Sequence, residues 1–362
     1  MGRKDKKGRR IRINKLLIII LVNSITLIFV SCLPGTGSPS LSPSPIGTDE
    51  SQQYKPNTIK VAYMPNMNSA SSLVTAKRKG YFDEVDLNVE LIQFQGGPAE
   101  IAALTSGNID IAQIGHGAHA LAIEGLAKIF AIDVLSMADE IIGNKDKGVN
   151  TILDLKGKTI ASTAGTTADI ILNLVLAEAG LTQNEVNIVR MDASSIVTAM
   201  ISGDVDACAA WDHSTVMIKN KLGDKAVVLG TNKDFFEEVK FPYSFITSEK
   251  YAKQNEDILI RFSQAILKAQ DYRKENIEEV CEWVAEEIEV DKEIILQSKS
   301  SGEWLTGEFI IKGLDNGIIK DYYTDQQNVF IQNGRISKKV SLNKYILFDI
   351  MKQASEAYRA SN

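Results

Sequence analysis

The sequence predicts an α/β protein of two lobes, each built around a mostly parallel sheet. Strand and helix patterns alternate regularly: residues 58–63 and 87–94 alternate apolar and polar side chains like strands, and residues 69–79 form a helical segment that ends before Gly80. A second helix follows Gly96-Gly97-Pro98, and residues 109–114 form a buried strand. Strands that alternate with helices in this way are typical of βαβ units.

An internal repeat predicts the second lobe. In residues 100–115 and again in residues 195–211, a short amphipathic helix ends in Ser-Gly, and a strand opens with a polar-apolar-Asp sequence. The two glycines, Gly107 and Gly203, are 96 residues apart and stand where a helix end favours a left-handed residue. Any βαβ protein reuses such junctions, but the match over five residues favours two lobes of similar topology.

The charge distribution excludes two classes of protein. The 362-residue chain carries a net charge of -6, but residues 1–31 hold eight basic side chains against one acidic one. The remainder therefore has 32 basic and 45 acidic residues, a balance of -13, which argues against a nucleic-acid partner. A hydrophobic content of 44% fits a globular protein and excludes a membrane protein with many spans.

Residues 1–31 have the layout of a lipoprotein signal peptide. A basic stretch precedes the apolar run 16–30, which is short and interrupted by polar residues, and small residues lead to Cys32. We expect Cys32 to carry the lipid, although Phe29 replaces the usual leucine. The alternative is an uncleaved signal anchor with a buried cysteine. The predicted location is extracytoplasmic, on the outer leaflet of the cytoplasmic membrane.

Residues 32–57 are predicted to be a flexible tether. They hold five of the eight prolines, mixed with Ser, Gly and Thr, a composition that cannot form a core. Besides Cys32 the chain has only Cys208 and Cys281, so it is not a disulfide scaffold.

Five segments resemble the solute-binding proteins of ABC importers, in the order found there. They are YMPNMNSASSLVTAKRKGYF (63–82), SGNIDIAQIG (106–115), DLKGKTIASTAGTTAD (154–169), SGDVDACAAWD (202–212) and FPYSFITSEKYAKQNED (241–257). The resemblance covers about residues 58–273 and is nearest to the aliphatic sulfonate, taurine and nitrate group, whose relatives also bind thiamine-pyrimidine precursors.

The resemblance implies a type II periplasmic-binding-protein-like fold with a hinge of two strands. Lobe I would comprise residues 58–134 and 245–362, and lobe II residues 135–244, with crossings near residues 132–138 and 241–247. It also implies a monomer that closes on a small-molecule ligand and delivers it to ABC permease subunits, with no cofactor.

Residue types at the ends of strands predict an anion site. Residues 162–167 join a strand to a helix and combine hydroxyls, free backbone N–H groups and a positive helix end. Residues 115–117 and 95–98 form similar corners. Ser, Thr and Gly are also ordinary helix caps, so the prediction depends on the three corners occurring together.

The opposite wall is predicted to suit a cation. Trp211 and Asp212 follow an apolar strand, and Tyr243 lies at the return crossing. An indole face beside a carboxylate attracts an ammonium group. The alternative is a core tryptophan and a helix-capping aspartate. Together the two walls favour a zwitterion or a polar ring that carries an amine.

The full set of predicted ligand-binding residues is Asn66, Gln95, Gly96, Gly97, His116, Gly117, Thr163, Gly165, Thr166, Thr167, Trp211, Asp212, His213 and Tyr243. The three histidines, His116, His119 and His213, with Asp212, could instead ligate a metal. No metal or catalytic residue is predicted, since Gly-x-Ser-x-Gly, phosphate-loop and Cys-His motifs are absent from the sequence. Besides a metal- or pyrimidine-precursor-binding receptor, a lipoprotein for adhesion or signalling is the remaining alternative.

Overall fold

The computed structural model describes residues 57–361. The predicted signal peptide, Cys32 and nearly all of the predicted tether lie outside the described residues. Strand β1 begins at Asn57, the last residue assigned to the tether. Within residues 57–361, no helix is long and apolar enough to cross a membrane.

The first sheet has six strands in the order β11-β4-β10-β3-β1-β2. They are β1 (Asn57–Tyr63), β2 (Leu87–Gln93), β3 (Ile111–Ile114), β4 (Lys128–Ser136), β10 (Pro242–Thr247) and β11 (Gly302–Trp304). The second sheet has five strands in the order β7-β6-β8-β5-β9. They are β5 (Asp139–Asn144), β6 (Thr159–Ser162), β7 (Asn187–Arg190), β8 (Ala207–Trp211) and β9 (Ala226–Thr231).

The predicted α/β class with two sheets is confirmed, but both sheets are mixed rather than mostly parallel. In the first sheet β1 pairs parallel with β2 and β3, whereas β10 pairs antiparallel with β3 and β4. In the second sheet β5 is antiparallel to β8 and β9. The cause is the connection between the sheets. β5 follows β4 of the first sheet and β10 follows β9 of the second, so β5 and β10 each enter from the neighbouring sheet and run antiparallel to the strands beside them.

The helices cover both sheets. They are α1 (Met67–Arg78), α2 (Gly97–Thr105), α3 (His119–Ile123), α4 (Thr167–Glu178), α5 (Ala193–Ser202), α6 (His213–Leu222), α7 (Glu249–Gln254), α8 (Glu256–Glu275), α9 (Ile277–Ile288), α10 (Lys292–Gln297), α11 (Gly307–Asn316), α12 (Ile318–Gln332) and α13 (Phe348–Ser361). The C-terminal helices lie on the first sheet: α8 packs against β4, and the hydroxyl of Tyr323 on α12 is 2.8 Å from that of Ser244 on β10.

The two repeated junctions have the backbone that the sequence predicts. Gly107 follows α2 with φ +76°, and Gly203 follows α5 with φ +78°. Both values lie in the left-handed region, which glycine enters without steric cost.

The core extends through both lobes. One apolar cluster includes Ile246 of the first sheet, Ile171 of α4 and Phe241 between the sheets. In lobe I the core also encloses an ion pair: Arg273 of α8 and Asp133 of β4 are both fully buried, with Nη1 and Oδ1 2.9 Å apart. Ser71 accepts from Arg273, and Ser72 and two neighbouring glutamines donate to Asp133, whereas the Nε of Arg273 has no partner.

Candidate functional site

The loops that follow β1, β2, β3, β6, β7 and β8 meet between the two sheets. They enclose two spaces. The large cavity has a volume of about 480 Å³ and is lined by Met64, Pro65, Asn66, Gln93, Gln95, Ala193, Ser194, Val197, Thr198, Trp211, His213, Ser214, Met217, Ile288 and Val290. The small pocket, of about 10 Å³, is lined by Met64, Gly97, Gly115, Ala118, Asp139, Gly165, Thr166, Thr167, Trp211 and Tyr243. Met64 and Trp211 line both spaces, which are therefore neighbours.

The lining of the large cavity carries no Asp, Glu, Lys or Arg. Hydroxyl and amide groups alternate there with the indole of Trp211 and with methionine and aliphatic side chains. A volume of this size and a mixture of apolar walls with a few polar groups are characteristic of small-molecule sites.

Of the predicted residues, nine line one space or the other. Gly97, Gly165, Thr166, Thr167 and Tyr243 line the small pocket, Asn66, Gln95 and His213 line the large cavity, and Trp211 lines both. Gly96, His116, Gly117, Thr163 and Asp212 line neither.

The lobes touch closely at the corners where an anion was expected. The backbone N–H of Gly117 donates to the Thr167 hydroxyl over 3.3 Å. A Cβ atom on Gly117 would lie 2.2 Å from the carbonyl carbon of Thr166, so only glycine fits this contact. Thr163 is engaged locally, because its hydroxyl donates to the Met191 carbonyl over 2.8 Å.

Asp212 makes a second contact between the lobes. Its Oδ2 accepts a 2.6 Å hydrogen bond from the backbone N–H of Met67, the first residue of α1. Asp212 has φ +52°, which is uncommon for a residue other than glycine. Burial raises the pKa of its carboxyl group, while the charge of His213 lowers it. Because Met67 is the first residue of α1, the hydrogen bond places the Asp212 carboxyl group at the positive end of that helix.

A third contact between the lobes comes from the C-terminal region. Arg335, after α12, lies 3.5 Å from Oδ2 of Asp169, and Arg190 pairs with the other oxygen of the same carboxylate. Arg335 also approaches Gly165. Two basic side chains therefore lie at this edge of the cleft.

His116 is enclosed in lobe I. Its ring centre lies 5.0 Å from those of Phe241 and Phe330, and its Nδ1 lies 2.9 Å from Nε2 of Gln326. Burial lowers the pKa of His116 well below its usual value, so the ring is neutral. His119 contacts the same Gln326. His213 lies in the other lobe, and among residues 57–361 no three His, Cys, Asp or Glu side chains form a group that could hold a metal ion.

Sequence reasoning missed two buried carboxyl groups near the small pocket. Asp139 lines it and is the cross-strand neighbour of Trp211. Glu100 lies one turn after Gly97 on α2, and neither of its oxygens has a hydrogen-bond partner. An acidic residue among the apolar positions Ile101 and Leu104 is the signal by which Glu100 could have been found.

Comparisons with known proteins agree with this architecture. Residues 66–280 match the family model described as NMT1/THI5 like. A binding protein of Brucella abortus (strain 2308) is 30% identical over 291 residues, which cover 80% of this chain and 90% of that protein. An aliphatic sulfonates-binding protein of Bacillus subtilis (strain 168) is 27% identical, over 63% of this chain and 69% of that protein.

Solved structures show the same fold. The alkanesulfonate-binding protein of Xanthomonas axonopodis pv. citri, bound to MOPS, superposes with a TM-score of 0.64 at 19% identity, covering 81% of this chain and 99% of that one. The two-lobed fold of periplasmic binding proteins, expected from the resemblance, is thereby confirmed.

Proposed function

The chain belongs to the NMT1/THI5-like family, and from this we propose that it is the extracytoplasmic solute-binding receptor of an ABC importer. It captures a small organic sulfonate, a taurine-like zwitterion or a related nitrogen compound by closing its lobes, and it delivers the solute to the permease. The names of the sulfonate-binding relatives in Bacillus subtilis and Xanthomonas support this ligand class.

The observation that carries the proposal is the large cavity between the sheets. Its walls come from both lobes: Asn66 and Gln95 follow strands of the first sheet, whereas Trp211 ends β8 of the second sheet and His213 follows it. A ligand that contacts both walls binds best when the lobes are together, so its binding energy favours closure.

The described residues also support binding without catalysis. Cys208 and Cys281 are buried and free of disulfides, and burial raises the pKa of each thiol to about 12. A thiol with so high a pKa is a poor nucleophile at neutral pH.

A thermal-shift panel tests the proposal. The purified protein is heated with taurine, alkyl sulfonates, nitrate or hydroxymethyl-pyrimidine, each at millimolar concentration. Because a ligand present at 100 times its Kd stabilises the folded state by about 2.7 kcal/mol, we expect at least one of them to raise Tm in a saturable way. The double variant Trp211→Ala/Asp212→Ala should lose this shift, and Trp283→Ala, which removes an indole outside both spaces, should keep it. If no compound raises Tm, the proposed ligand class is wrong.

The lipid anchor is a separate part of the proposal. We propose that Cys32 carries the lipid and that residues 1–31 are removed. Palmitate labelling in cells tests this: the wild type should incorporate label, and Cys32→Ser should not. Equal labelling of both proteins would contradict it.

A further inference from the structure

One buried acidic residue lines the small pocket, and two more are buried near it. Asp139 lines it and is 1% exposed, and Glu100, on the helix that presents Gly97 to the pocket, is fully buried. Tyr243 also lines the pocket. Burial raises the pKa of its hydroxyl well above the usual value, and the charges of Asp139, Asp212 and Glu100 raise it further. Three carboxyl groups therefore lie within electrostatic reach of one aromatic ring.

These carboxyl groups have no matching positive charge in the described part of the chain. None of the three makes an ion pair there. The charge of His213 lowers the pKa of Asp212 but forms no ion pair with it. Asp212 already accepts the Met67 N–H through one oxygen. The Asp139 carboxyl has only neutral partners, the Ser136 hydroxyl at 3.0 Å and the side chain of Asn232, and Glu100 accepts nothing. A buried carboxylate without partners is costly, which leaves Glu100 and Asp139 in need of a cation or a proton.

The size and walls of the small pocket fit an ammonium group. About 10 Å³ accommodates one group the size of a water molecule, which matches a primary ammonium and is too small for a sulfonate. The aromatic faces of Trp211 and Tyr243 attract cations. Because Trp211 and Met64 also line the large cavity, the remainder of a ligand could extend there from a charged end held in the small pocket.

We propose that Asp139, which lines the small pocket, and Glu100, which is buried one turn beyond Gly97 on α2, are specificity-determining residues whose negative charges favour an ammonium group of the ligand in the small pocket between Tyr243 and Trp211. The inference rests on the proposed receptor function. It assigns cation recognition to Glu100 and Asp139, whereas Asp212 holds the lobes together.

Calorimetric titration of the purified protein with matched probes tests the inference. Taurine and ethanesulfonate share a skeleton and differ only in the ammonium group. We expect taurine to bind at least 10-fold more tightly than ethanesulfonate. Glu100→Gln should weaken taurine at least 10-fold and leave ethanesulfonate unchanged or tighter, and Asp139→Asn should act in the same direction. Glu90→Gln, at an exposed position of β2, is the matched control and should change neither affinity.

The protons released on taurine binding give a second measurement, which would not change if Glu100 had only a structural role. Burial raises the pKa of Glu100 well above its usual value and that of Asp139 to about 7. A bound ammonium would ionise these groups, so taurine binding near pH 6 should release protons, detected by titration in buffers of different ionisation enthalpy. Glu100→Gln should reduce the release. This variant should fold, because a neutral amide replaces a carboxyl group that burial keeps neutral.

The outcomes separate this inference from the receptor function. If ethanesulfonate binds as tightly as taurine, or if a folded Glu100→Gln protein retains full taurine affinity and proton release, the inference is overturned while the receptor function remains. If none of the panel compounds binds, the proposed ligand class is wrong, and the inference fails with it.

Discussion

The carboxylate of Asp212 accepts a 2.6 Å hydrogen bond from the backbone N–H of Met67, 145 positions earlier in the chain. Asp212 follows β8 of the second sheet, and Met67 opens α1 against the first. The bond therefore joins the two lobes. Its acceptor occupies a helix N-terminus, where a negative charge is stabilised by the unpaired N–H groups.

Removing this bond should weaken ligand binding by loosening the closed state. A hydrogen bond to a charged group contributes about 1.5–3 kcal/mol, so Asp212→Ala should lower affinity about 10-fold or more, as measured by calorimetry. Asp212→Asn retains an acceptor oxygen and should lose less. Asp224→Asn, at an exposed position, should bind like the wild type. Equal affinities for Asp212→Ala and the wild type would show that the bond does not contribute to closure.

Gly117→Ala should block the closed arrangement without unfolding the protein. The added Cβ would lie 2.2 Å from the Thr166 carbonyl carbon, so the lobes must separate there. Gly117 does not have a positive φ, so alanine is compatible with its backbone. We expect the affinity for any ligand that requires closure to fall steeply and the Tm of the free protein to change little. Unchanged affinity would contradict the close contact between Gly117 and Thr166.

The buried pair of Asp133 and Arg273 should dominate the stability of lobe I. Removal of one partner from such a pair leaves an uncompensated charge and costs about 3–5 kcal/mol, so Asp133→Ala should lower the free energy of unfolding by that amount in urea titrations. Glu286→Gln breaks the exposed pair with Arg78 and should cost less than about 1 kcal/mol. Similar losses for the two variants would contradict this ranking.

His119 should make the protein less stable in acid. Burial lowers the pKa of His119 to about 3, whereas an unfolded histidine has a pKa near 6.5. Between these values the unfolded chain binds the proton and the folded protein does not, so stability falls as pH decreases below 6.5, by about 1.4 kcal/mol per pH unit. In urea unfolding at pH 7, 6 and 5, the wild type should therefore lose stability faster than His119→Gln. If both proteins lost stability equally as the pH fell, His119 would not be the cause of the loss.

Local features of the fold could be predicted from the sequence. The capping of α1 by Asn66, whose side chain accepts from the N–H of Ser69, and the left-handed glycines at 107 and 203 depend on neighbouring residues alone. The helix predicted to start at residue 69 in fact starts at Met67, two residues earlier, because Asn66 caps it.

The contacts across the cleft could not be predicted in this way. Arg335 reaches Asp169 from 166 positions away, and Glu100 becomes buried only when α2 packs on the first sheet. Such pairs depend on how the lobes are arranged, which hydrophobic periodicity does not encode. The same limit applies to His116, a candidate for ligand contact by its place after β3, whose ring instead packs between Phe241 and Phe330.

The most direct test of the account is a distance measurement between the lobes with and without ligand. Spin labels at Glu90→Cys on β2 and Val189→Cys on β7 report on the two sheets, in a Cys32→Ser background; both positions are exposed, and Cys208 and Cys281 are buried. We predict that a compound that raises Tm also narrows the distribution of distances and shifts it to shorter values. A compound that binds and leaves the distribution unchanged would contradict capture by lobe closure.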